Sequence, residues 1–448
     1  MIRWADDRLG SSGSTRKALK KIFPDHWSFL LGEIALFTFV ILLVTGIFLT
    51  LFFKADQSEV VYLGPYEPLQ GHTMSAAFAS TLKLSFEVKL GMLIRQMHHW
   101  AALVFVAAIV VHMSRVFFTG AFRRPRELNW IIGINLIILS LLMGFSGYSL
   151  PDDLLSGIGL RIAYSIVLSI PFVGPRAAFL LFGGEWPTQD IIARLFVLHV
   201  MLLPWVLMGL IGLHLAILYH QKHTQFPGPG KTENNVVGKA FFPYQVLKST
   251  GLMIITAAVI ALLAGLVQVN PVWAYGPYDA SLATVPSQPD WYMGWLEGTI
   301  RIFPAFEPTI FGVTIPMALL FPAAILPGIV FTVIALWPWI ERRITGDVAE
   351  HNLLDVPRQA PVRTGCGVAG LAFMVVYMLA GGNDVLALMF NVPVELITWI
   401  FRVAFFVVPP FAGYVAYKMC VELAETDRHP FSPSKGIVLK RNPEGGFQ

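Results

Sequence analysis

The chain has 448 residues, a length that ordinarily gives two or three soluble domains. Its composition excludes that arrangement, because 55% of its residues are hydrophobic and only 13% are charged, whereas soluble chains have roughly 45–50% and about 25%. Two cysteines exclude a disulfide scaffold, and the net charge of +4 becomes informative only when it is divided among loops. An integral membrane protein is predicted.

Eight apolar stretches have roughly the 20 residues that are needed to cross the hydrocarbon core of a bilayer. We name them spans A to H, and they lie at about 30–53, 98–118, 130–149, 193–219, 249–269, 314–338, 364–382 and 396–419. Each must be helical, since a span in lipid has to satisfy its own backbone polar groups. The predicted fold class is an all-α polytopic membrane protein with eight transmembrane helices. Because the start of the chain is polar, we expect no cleavable signal peptide.

The charges of the loops alternate along the chain. The N-terminal segment and the B–C and D–E loops are mainly basic, whereas the E–F and G–H loops are mainly acidic. The positive-inside rule therefore places both termini in the cytoplasm. The stretches 74–93 and 157–182 fall in outer loops and are interrupted by polar residues, so they are predicted to lie on the membrane surface.

Four histidines lie in spans B and D at matched spacing. His98 and His112 are fourteen residues apart, and His199 and His214 are fifteen apart. On a helix, both histidines of a pair then face much the same way, about 21 Å apart along the axis. Ionisable side chains at such depth are costly and are functional candidates. His99 points in another direction around the helix and is a poor ligand candidate.

Facing imidazoles from two helices of a bundle are a common way to hold haem. The spacing predicts an outer site from His98 and His199 and an inner site from His112 and His214. No C-x-x-C-H sequence is present, so two non-covalent haem b groups are expected. Zinc is a weaker alternative, because no third ligand type is near either pair.

Glycines recur at the histidine period in the two other spans of this bundle. They are Gly32 and Gly46 in span A, and Gly133 and Gly147 in span C. Because glycine allows a backbone or a flat ligand to approach closely, spans A and C are also predicted to face the haems, with helix packing as the alternative. Arg95, Arg115 and Arg194 flank the histidines and are predicted to pair with haem propionates, or else to reach the interface as ordinary surface arginines.

With this array of histidines, glycines and arginines, the chain resembles cytochrome b of the quinol–cytochrome c reductase (cytochrome bc) complexes over nearly its whole length. Besides the histidines, the resemblance is carried by Gly-Tyr-Ser-Leu-Pro at 147–151 and by the tetrad Pro-Asp-Trp-Tyr at 289–292, which is similar to the quinol-site motif of the family. The opening stretch and residues 287–294 are most similar to actinobacterial members. A departure follows Pro151, where Asp152-Asp153-Leu154 replaces the Trp-Gly-Gln often found in the family.

The resemblance implies that menaquinol is oxidised at the outer site. One electron would pass to a Rieske iron–sulfur partner, and the other would pass through the outer, low-potential haem and the inner, high-potential haem to a quinone near the cytoplasmic face, with proton translocation. Asp290 would accept a proton at the outer site, which Pro289, Trp291, Tyr292 and Tyr148 would complete. For the inner quinone site, the nearest matches are His220, Lys248 and Ser249.

The expected partners are the Rieske protein, a di-haem cytochrome c subunit, a terminal oxidase, lipids and a second copy of the complex, with no nucleic acid. The expected location is a bacterial cell membrane. The predicted division of the chain is 1–28 (cytoplasmic segment), 29–222 (di-haem four-helix bundle), 223–248 (cytoplasmic linker), 249–420 (C-terminal four-helix domain with the quinol loop) and 421–448 (cytoplasmic tail).

Two other functions remain open at this point. One is a di-haem b membrane anchor of another quinone-linked dehydrogenase or reductase, although such anchors usually have four or five helices. The other is a haem-free proton-coupled transporter that uses the membrane histidines as a relay.

Overall fold

The computed structural model describes residues 6–8, 11–283 and 288–428. Three features of the sequence lie outside these residues: Arg3 of the basic N-terminal segment, Ser287 at the start of the 287–294 phrase, and positions 429–448 of the predicted cytoplasmic tail.

Eight helices of the described residues are long and apolar enough to cross a membrane, which confirms the predicted fold class. Spans A to H comprise Trp27–Thr50, Gly91–Phe118, Glu127–Tyr148, Ile191–Gln221, Phe241–Leu266, Met317–Thr345, Pro361–Gly381 and Val394–Glu425. Span B begins at Gly91 rather than at residue 98, because the polar side chains that interrupt its apolar run are buried. Among them, Gln96 is satisfied by the backbone carbonyl and amide of Val269, at 2.9 and 2.8 Å.

Several spans are not uniform α-helices. Span A begins with a 3₁₀ turn, Trp27–Leu30, followed by Leu31–Thr50. Spans D, E and F contain π-helical turns at Leu198–Leu202, Phe241–Gln245 and Phe321–Ile325. In span D, Pro204 lacks the amide hydrogen that a regular helix would use, so the preceding turn is widened where His199 lies.

The shorter elements lie between the spans. In chain order, the helices are α1 (Ser11–Leu19), α2 (Ala76–Phe86), α3 (Leu154–Leu168), α4 (Gly174–Phe182), α5 (Val272–Tyr275), α6 (Trp291–Ile302) and α7 (Asn383–Phe390). The strands are β1 (Ile22–Phe23), β2 (Glu59–Val61), β3 (Thr73–Ser75), β4 (Lys239–Ala240), β5 (Thr309–Ile310) and β6 (Val313–Thr314). They form three antiparallel pairs, β1–β4, β2–β3 and β5–β6. The two stretches predicted to lie on the surface contain α2, α3 and α4, and none of these is among the eight spans.

The packing brings the N-terminal spans together and places the later ones around them. Span A packs against span B, span C against span D, and span E against spans A and B. Spans G and H form a second pair, and α6 of the E–F loop packs on span G. A buried apolar cluster that includes Ala77, Leu160, Ala178 and Ile192 joins α2, α3, α4 and the start of span D. The end of the bundle at which span D begins is thereby covered by short helices.

Candidate functional site

The outer histidine pair is formed as the spacing predicts. The rings of His98 and His199 face each other from spans B and D, with 6.3 Å between their centres and 70° between their planes. Two metal–imidazole bonds of about 2 Å each, together with the distance from each ring centre to its nitrogen, amount to roughly 6 Å. The separation therefore fits two imidazoles that would hold one iron between them.

The inner pair repeats this geometry at the other end of the same two helices. The ring centres of His112 and His214 are 6.5 Å apart, and their planes are inclined by 76°. Within the described residues, no group of three or more His, Cys, Asp or Glu side chains is placed to hold a metal ion. The two-histidine geometry fits haem, whose porphyrin supplies the remaining ligands, better than it fits a structural zinc ion.

The two pairs differ in the partners of their other ring nitrogens. His98 Nδ1 lies 2.9 Å from Thr45 Oγ1, and His199 Nδ1 lies 3.0 Å from the Met143 carbonyl oxygen and 3.1 Å from Ser146 Oγ. Such contacts fix the orientation of a metal-bound imidazole. His112 Nδ1, by contrast, has no hydrogen-bond partner among the described residues.

Each of the four predicted glycines lies against one histidine ring. A Cβ atom at Gly46 would be 3.3 Å from His98 Cε1, and one at Gly32 would be 3.1 Å from His112 Cε1. At Gly133 the distance to His214 Cε1 would be 3.9 Å, whereas a Cβ at Gly147 would overlap the His199 ring. The glycines of spans A and C thus leave space for the imidazoles themselves, which the sequence analysis did not foresee.

A cavity surrounds the outer pair. Besides the two histidine rings, it is lined by Gly46 of span A, Arg95 of span B, Gly147 and Tyr148 of span C, and Pro151, which follows span C. Arg95 is buried, and its Nε has no hydrogen-bond partner among the described residues, while its Nη atoms lie 3.4 Å from the Asn270 carbonyl oxygen. A buried guanidinium with unused donors beside the cavity suits an acidic group such as a propionate.

The other two predicted arginines differ from each other. Arg115 has two guanidinium nitrogens, Nε and Nη2, without a partner among the described residues, and its guanidinium lies 4.4 Å from the Phe29 ring centre. Arg194 is exposed and donates to the Leu180 carbonyl oxygen, and it does not line the outer cavity. The structure therefore supports Arg95 and Arg115 as propionate partners and does not bring Arg194 to the outer pair, because its side chain turns toward α4.

The predicted outer loop residues gather beside span B. Asp290 ends the loop and precedes α6, and its side chain is 11% exposed. One of its oxygens lies 2.8 Å from His99 Nε2, and the other accepts a hydrogen bond from the Tyr292 hydroxyl at 2.9 Å. His99 was expected only to point away from the haem. Its pairing with Asp290 was not predicted, because the two residues are 191 positions apart.

Tyr292 and its neighbours complete this group. The Tyr292 side chain is fully buried, and a Cβ at Gly144 of span C would lie 2.6 Å from its hydroxyl oxygen. Burial and the adjacent Asp290 carboxylate hold the pKa of Tyr292 well above its usual value, so this hydroxyl remains a hydrogen-bond donor at neutral pH. Trp291 contacts the Tyr292 ring edge to face, and Pro289 precedes Asp290 in the chain. Tyr148, at the end of span C, lies within electrostatic reach of Asp290.

The predicted inner quinone residues are only partly together. Lys248 Nζ lies 2.7 Å from Asp25 Oδ1, and Lys239 Nζ lies 3.1 Å from Asp25 Oδ2. The hydrogen bonds from Lys248 and then Lys239 lower the pKa of Asp25. Ser249 accepts a hydrogen bond from Gln245, which also donates to Glu33 at 2.7 Å.

His220 does not join these residues, since it is exposed on the last turn of span D. The helix ends at Gln221, and Lys222 has a positive φ of 64°, so the chain turns back there. His223 is the histidine that this turn brings inward, with its ring 4.6 Å from that of Phe23. Burial, with Lys21 and Arg115 nearby, lowers the pKa of His223 to about 4. His223 therefore replaces His220 as the candidate.

Eight spans that carry two histidine pairs, one above the other, define a haem-binding membrane protein of the cytochrome b class. A family model described as "Cytochrome b(N-terminal)/b6/petB" matches residues 103–277. The cytochrome bc1 complex cytochrome b subunit of Mycobacterium tuberculosis is 49% identical over 444 residues, which are 99% of this chain and 80% of that protein. The equivalent subunit of Streptomyces coelicolor is 47% identical over 445 residues, which are 99% of this chain and 82% of that protein.

The chain belongs to the family of cytochrome b subunits of cytochrome bc1 complexes, as the resemblance indicated. It is therefore an integral protein of a bacterial membrane, it is a haem b protein, and it is a subunit of a quinol–cytochrome c reductase. A solved structure titled "Hyperthermophilic respiratory Complex III" has the same fold, with a TM-score of 0.68 and 21% identity. The match covers 93% of this chain and 100% of the chain in that structure.

Proposed function

We propose that this chain holds two haem b groups, the outer one between His98 and His199 and the inner one between His112 and His214. The observation that carries the proposal is the pair of ring separations, 6.3 and 6.5 Å, at two levels of the same two helices. When bound, the haems supply a one-electron path from an outer quinol site to an inner quinone site, while the second electron of the quinol leaves to a Rieske iron–sulfur partner.

At the outer site, Asp290 accepts a proton from the quinol. A base within hydrogen-bond reach of the quinol hydroxyl is required, because the quinol must lose its protons as it is oxidised. The contacts of Asp290 with His99 and Tyr292 hold its carboxyl group in one orientation. Tyr148 lines the cavity around the outer pair, the buried Tyr292 donates to Asp290, and Pro289 and Trp291 flank Asp290 in the chain.

At the inner site, the family resemblance suggests Lys248, and the geometry supports it, because Lys248 contacts Asp25. His223 and Ser249 lie in the chain segments that meet there. Protons taken up at this end and released at the outer end would charge the membrane. This requires both termini to lie in the cytoplasm, which the basic loops favour.

The chain would work with a Rieske protein and a di-haem cytochrome c subunit, in a dimeric complex surrounded by lipid, and with menaquinol as its substrate. A terminal oxidase is a further proposed partner. We assign the haems to the bundle 29–222 and the quinol loop to the C-terminal part 249–420, with 1–28, 223–248 and 421–448 on the cytoplasmic side.

Replacing an inner histidine tests the proposal. In His112→Leu, the inner haem should be lost while the outer haem remains, because each pair holds its own iron. Two measurements on the purified complex check this. One is the haem content per chain, and the other is a redox titration followed in the dithionite-reduced minus oxidised spectrum. His220→Leu is the matched control, since this histidine is exposed in span D. Two haems with unchanged potentials in His112→Leu would refute the assignment.

A further inference from the structure

The end of span D has a backbone conformation that its residues do not favour. The helix ends at Gln221, and Lys222 has a φ of 64° and a ψ of 169°. This combination is nearly confined to glycine, and another residue keeps it only where its surroundings impose it. The next residue, His223, is thereby turned inward, with its ring centre 4.6 Å from that of Phe23. A lysine in this conformation requires a structural cause nearby.

The buried Arg126 is that cause. It is 7% exposed and directly precedes span C, where the helix dipole disfavours a cation. Its Nη2 lies 3.2 Å from the Gln221 carbonyl oxygen and 3.4 Å from the Lys222 carbonyl oxygen. The last carbonyl groups of a helix have no partner within the helix, and a cation is favourable at that end. The guanidinium therefore stabilises the end of span D rather than the start of span C.

Arg126 also joins the end of span D to two loops. Its Nη1 donates to the His351 carbonyl oxygen at 2.6 Å, and its Nη2 lies 3.1 Å from Asn352 Oδ1, both in the F–G loop. The Gln221 side chain donates to the Pro125 carbonyl oxygen of the B–C loop at 2.7 Å. No carboxylate is among the hydrogen-bond partners of Arg126 in the described part of the chain. The buried guanidinium thus connects three segments through carbonyl and amide oxygens.

The chain is fixed again on the other side of His223. Gln225 is fully buried, its amide donates to the Asn352 carbonyl oxygen at 2.9 Å, and its carbonyl oxygen accepts from the Leu354 amide at 2.8 Å. His223 therefore lies between two held points, with the guanidinium at Lys222 before it and the F–G loop at Gln225 after it. If the first point were released, Lys222 could return to a negative φ, and the imidazole would leave its place against Phe23.

We propose that Arg126 is a positioning residue of the inner quinone site, because it imposes the turn at Lys222 that places His223 there. The inference rests on the proposed inner site. Arg126 acts through the backbone at the end of span D, and the quinone meets the imidazole that this turn brings inward. The proposal separates the two ends of the molecule, since a change at Arg126 should affect electron exit at the inner site and leave electron entry at the outer site as it is.

Arg126→Met in the whole bc1 complex is the direct test, because methionine occupies much of the volume and lacks the donors. With a short-chain menaquinol, stopped-flow absorbance separates reduction of the haems through the outer site from their re-oxidation through the inner site. Re-oxidation should slow by roughly 10-fold or more, since a small displacement of a positioned group is costly. Reduction and the content of both haems should not change. Arg124→Met is the matched control, because its exposed guanidinium also contacts the F–G loop, at Val348 and Glu350, and it should keep both rates.

Two double variants test whether Arg126 acts through the turn and the imidazole. Lys222→Gly added to Arg126→Met should restore part of the re-oxidation rate, because glycine adopts a positive φ without the steric cost. An unrestored rate would overturn the role of the turn. His223→Asn should slow re-oxidation by itself, and Arg126→Met should slow that variant no further, since both changes remove the same side chain from the site. A double variant slower than either single variant would overturn the proposal.

A milder variant decides the question if Arg126→Met does not assemble. Arg126→Lys keeps the charge but lacks the planar fork that reaches both span D and the F–G loop, so re-oxidation should slow to a smaller extent. A wild-type rate of re-oxidation in either assembled Arg126 variant would overturn the proposal. If His223→Asn is slow in that case, only the positioning role fails. If His223→Asn also re-oxidises at the wild-type rate, the assignment of His223 to the inner site fails with it.

Discussion

The outer and the inner histidine pairs have nearly the same geometry but different surroundings. Their ring centres are 6.3 and 6.5 Å apart, yet hydroxyl or carbonyl oxygens meet Nδ1 of both outer rings, whereas His112 Nδ1 meets no partner among the described residues. The matched spacing of the histidines on two helices places one ring opposite another at both ends. The contacts that orient the two outer rings come from spans A and C and are independent of that spacing.

The charged groups near the two ends also differ. Beside the outer pair lie the buried Arg95 and Asp290, whose side chain is 11% exposed, whereas the inner end has Arg115 and the exposed Asp25, which contacts two lysines. The two ends therefore differ in the charged side chains near the rings as well as in the contacts of the ring nitrogens.

The largest expected effect concerns proton transfer at the outer end. Asp290→Asn should slow quinol oxidation by roughly 100-fold or more, because an amide cannot accept the proton, while the spectra of both haems stay unchanged. Steady-state quinol oxidation with haem quantification measures both. Asp279→Asn, at an exposed aspartate of the same loop that bonds to Ser281, is the control and should behave as the wild type. Normal turnover in Asp290→Asn would remove this residue from its role.

The next effect separates the two pairs through their glycines. Gly147→Ala should weaken retention of the outer haem by about 10-fold, since the added methyl group overlaps the His199 ring and overpacking costs about 1–3 kcal/mol. Gly133→Ala should leave the inner haem nearly unaffected, because its methyl group would lie at an ordinary 3.9 Å from His214. The measurement is the haem content per chain of each variant, assigned to the outer and the inner haem by redox titration. Equal losses in the two variants would show that the glycines do not discriminate between the rings.

The smallest effect concerns the orientation of His98. Thr45→Val removes the hydroxyl that meets His98 Nδ1 and should shift the midpoint potential of the outer haem, with at most about a 10-fold loss of its affinity. The inner haem should not respond. Thr38→Val is the matched control in span A, because the Thr38 hydroxyl donates to carbonyl groups of its own helix. A potentiometric titration that finds the same outer potential in both variants would contradict a role for Thr45.

The spans and the histidine pairs were predictable because each depends on one helix at a time. Apolar length identifies a span, and the helical repeat places His98 over His112 without any knowledge of other helices. The start of span B was wrong for a related reason: the polar Gln96 is satisfied by Val269, and no local pattern reveals such a partner.

Contacts between distant segments were the part that could not be predicted. His99 and Asp290 are 191 residues apart, and Lys248 and Asp25 are 223 apart. The choice between His220 and His223 depends on where span D ends, and Lys222 adopts its positive φ without being glycine or asparagine. The glycines of spans A and C were expected beside the haems, whereas their fit to the imidazole rings depends on ångström-scale packing.

His98 and His99 are consecutive residues of one helical turn, and they point to different partners. The first faces the proposed iron position, and the second holds the carboxyl group of Asp290. A single peptide unit of span B therefore joins the ring that faces the proposed iron position to the ring that contacts Asp290. The two rings are tied to each other by covalent bonds, whereas the loop is tied to span B at this point by a contact of 2.8 Å. A rotation of span B would move both rings, so the iron position and the hold on the loop would change at the same time.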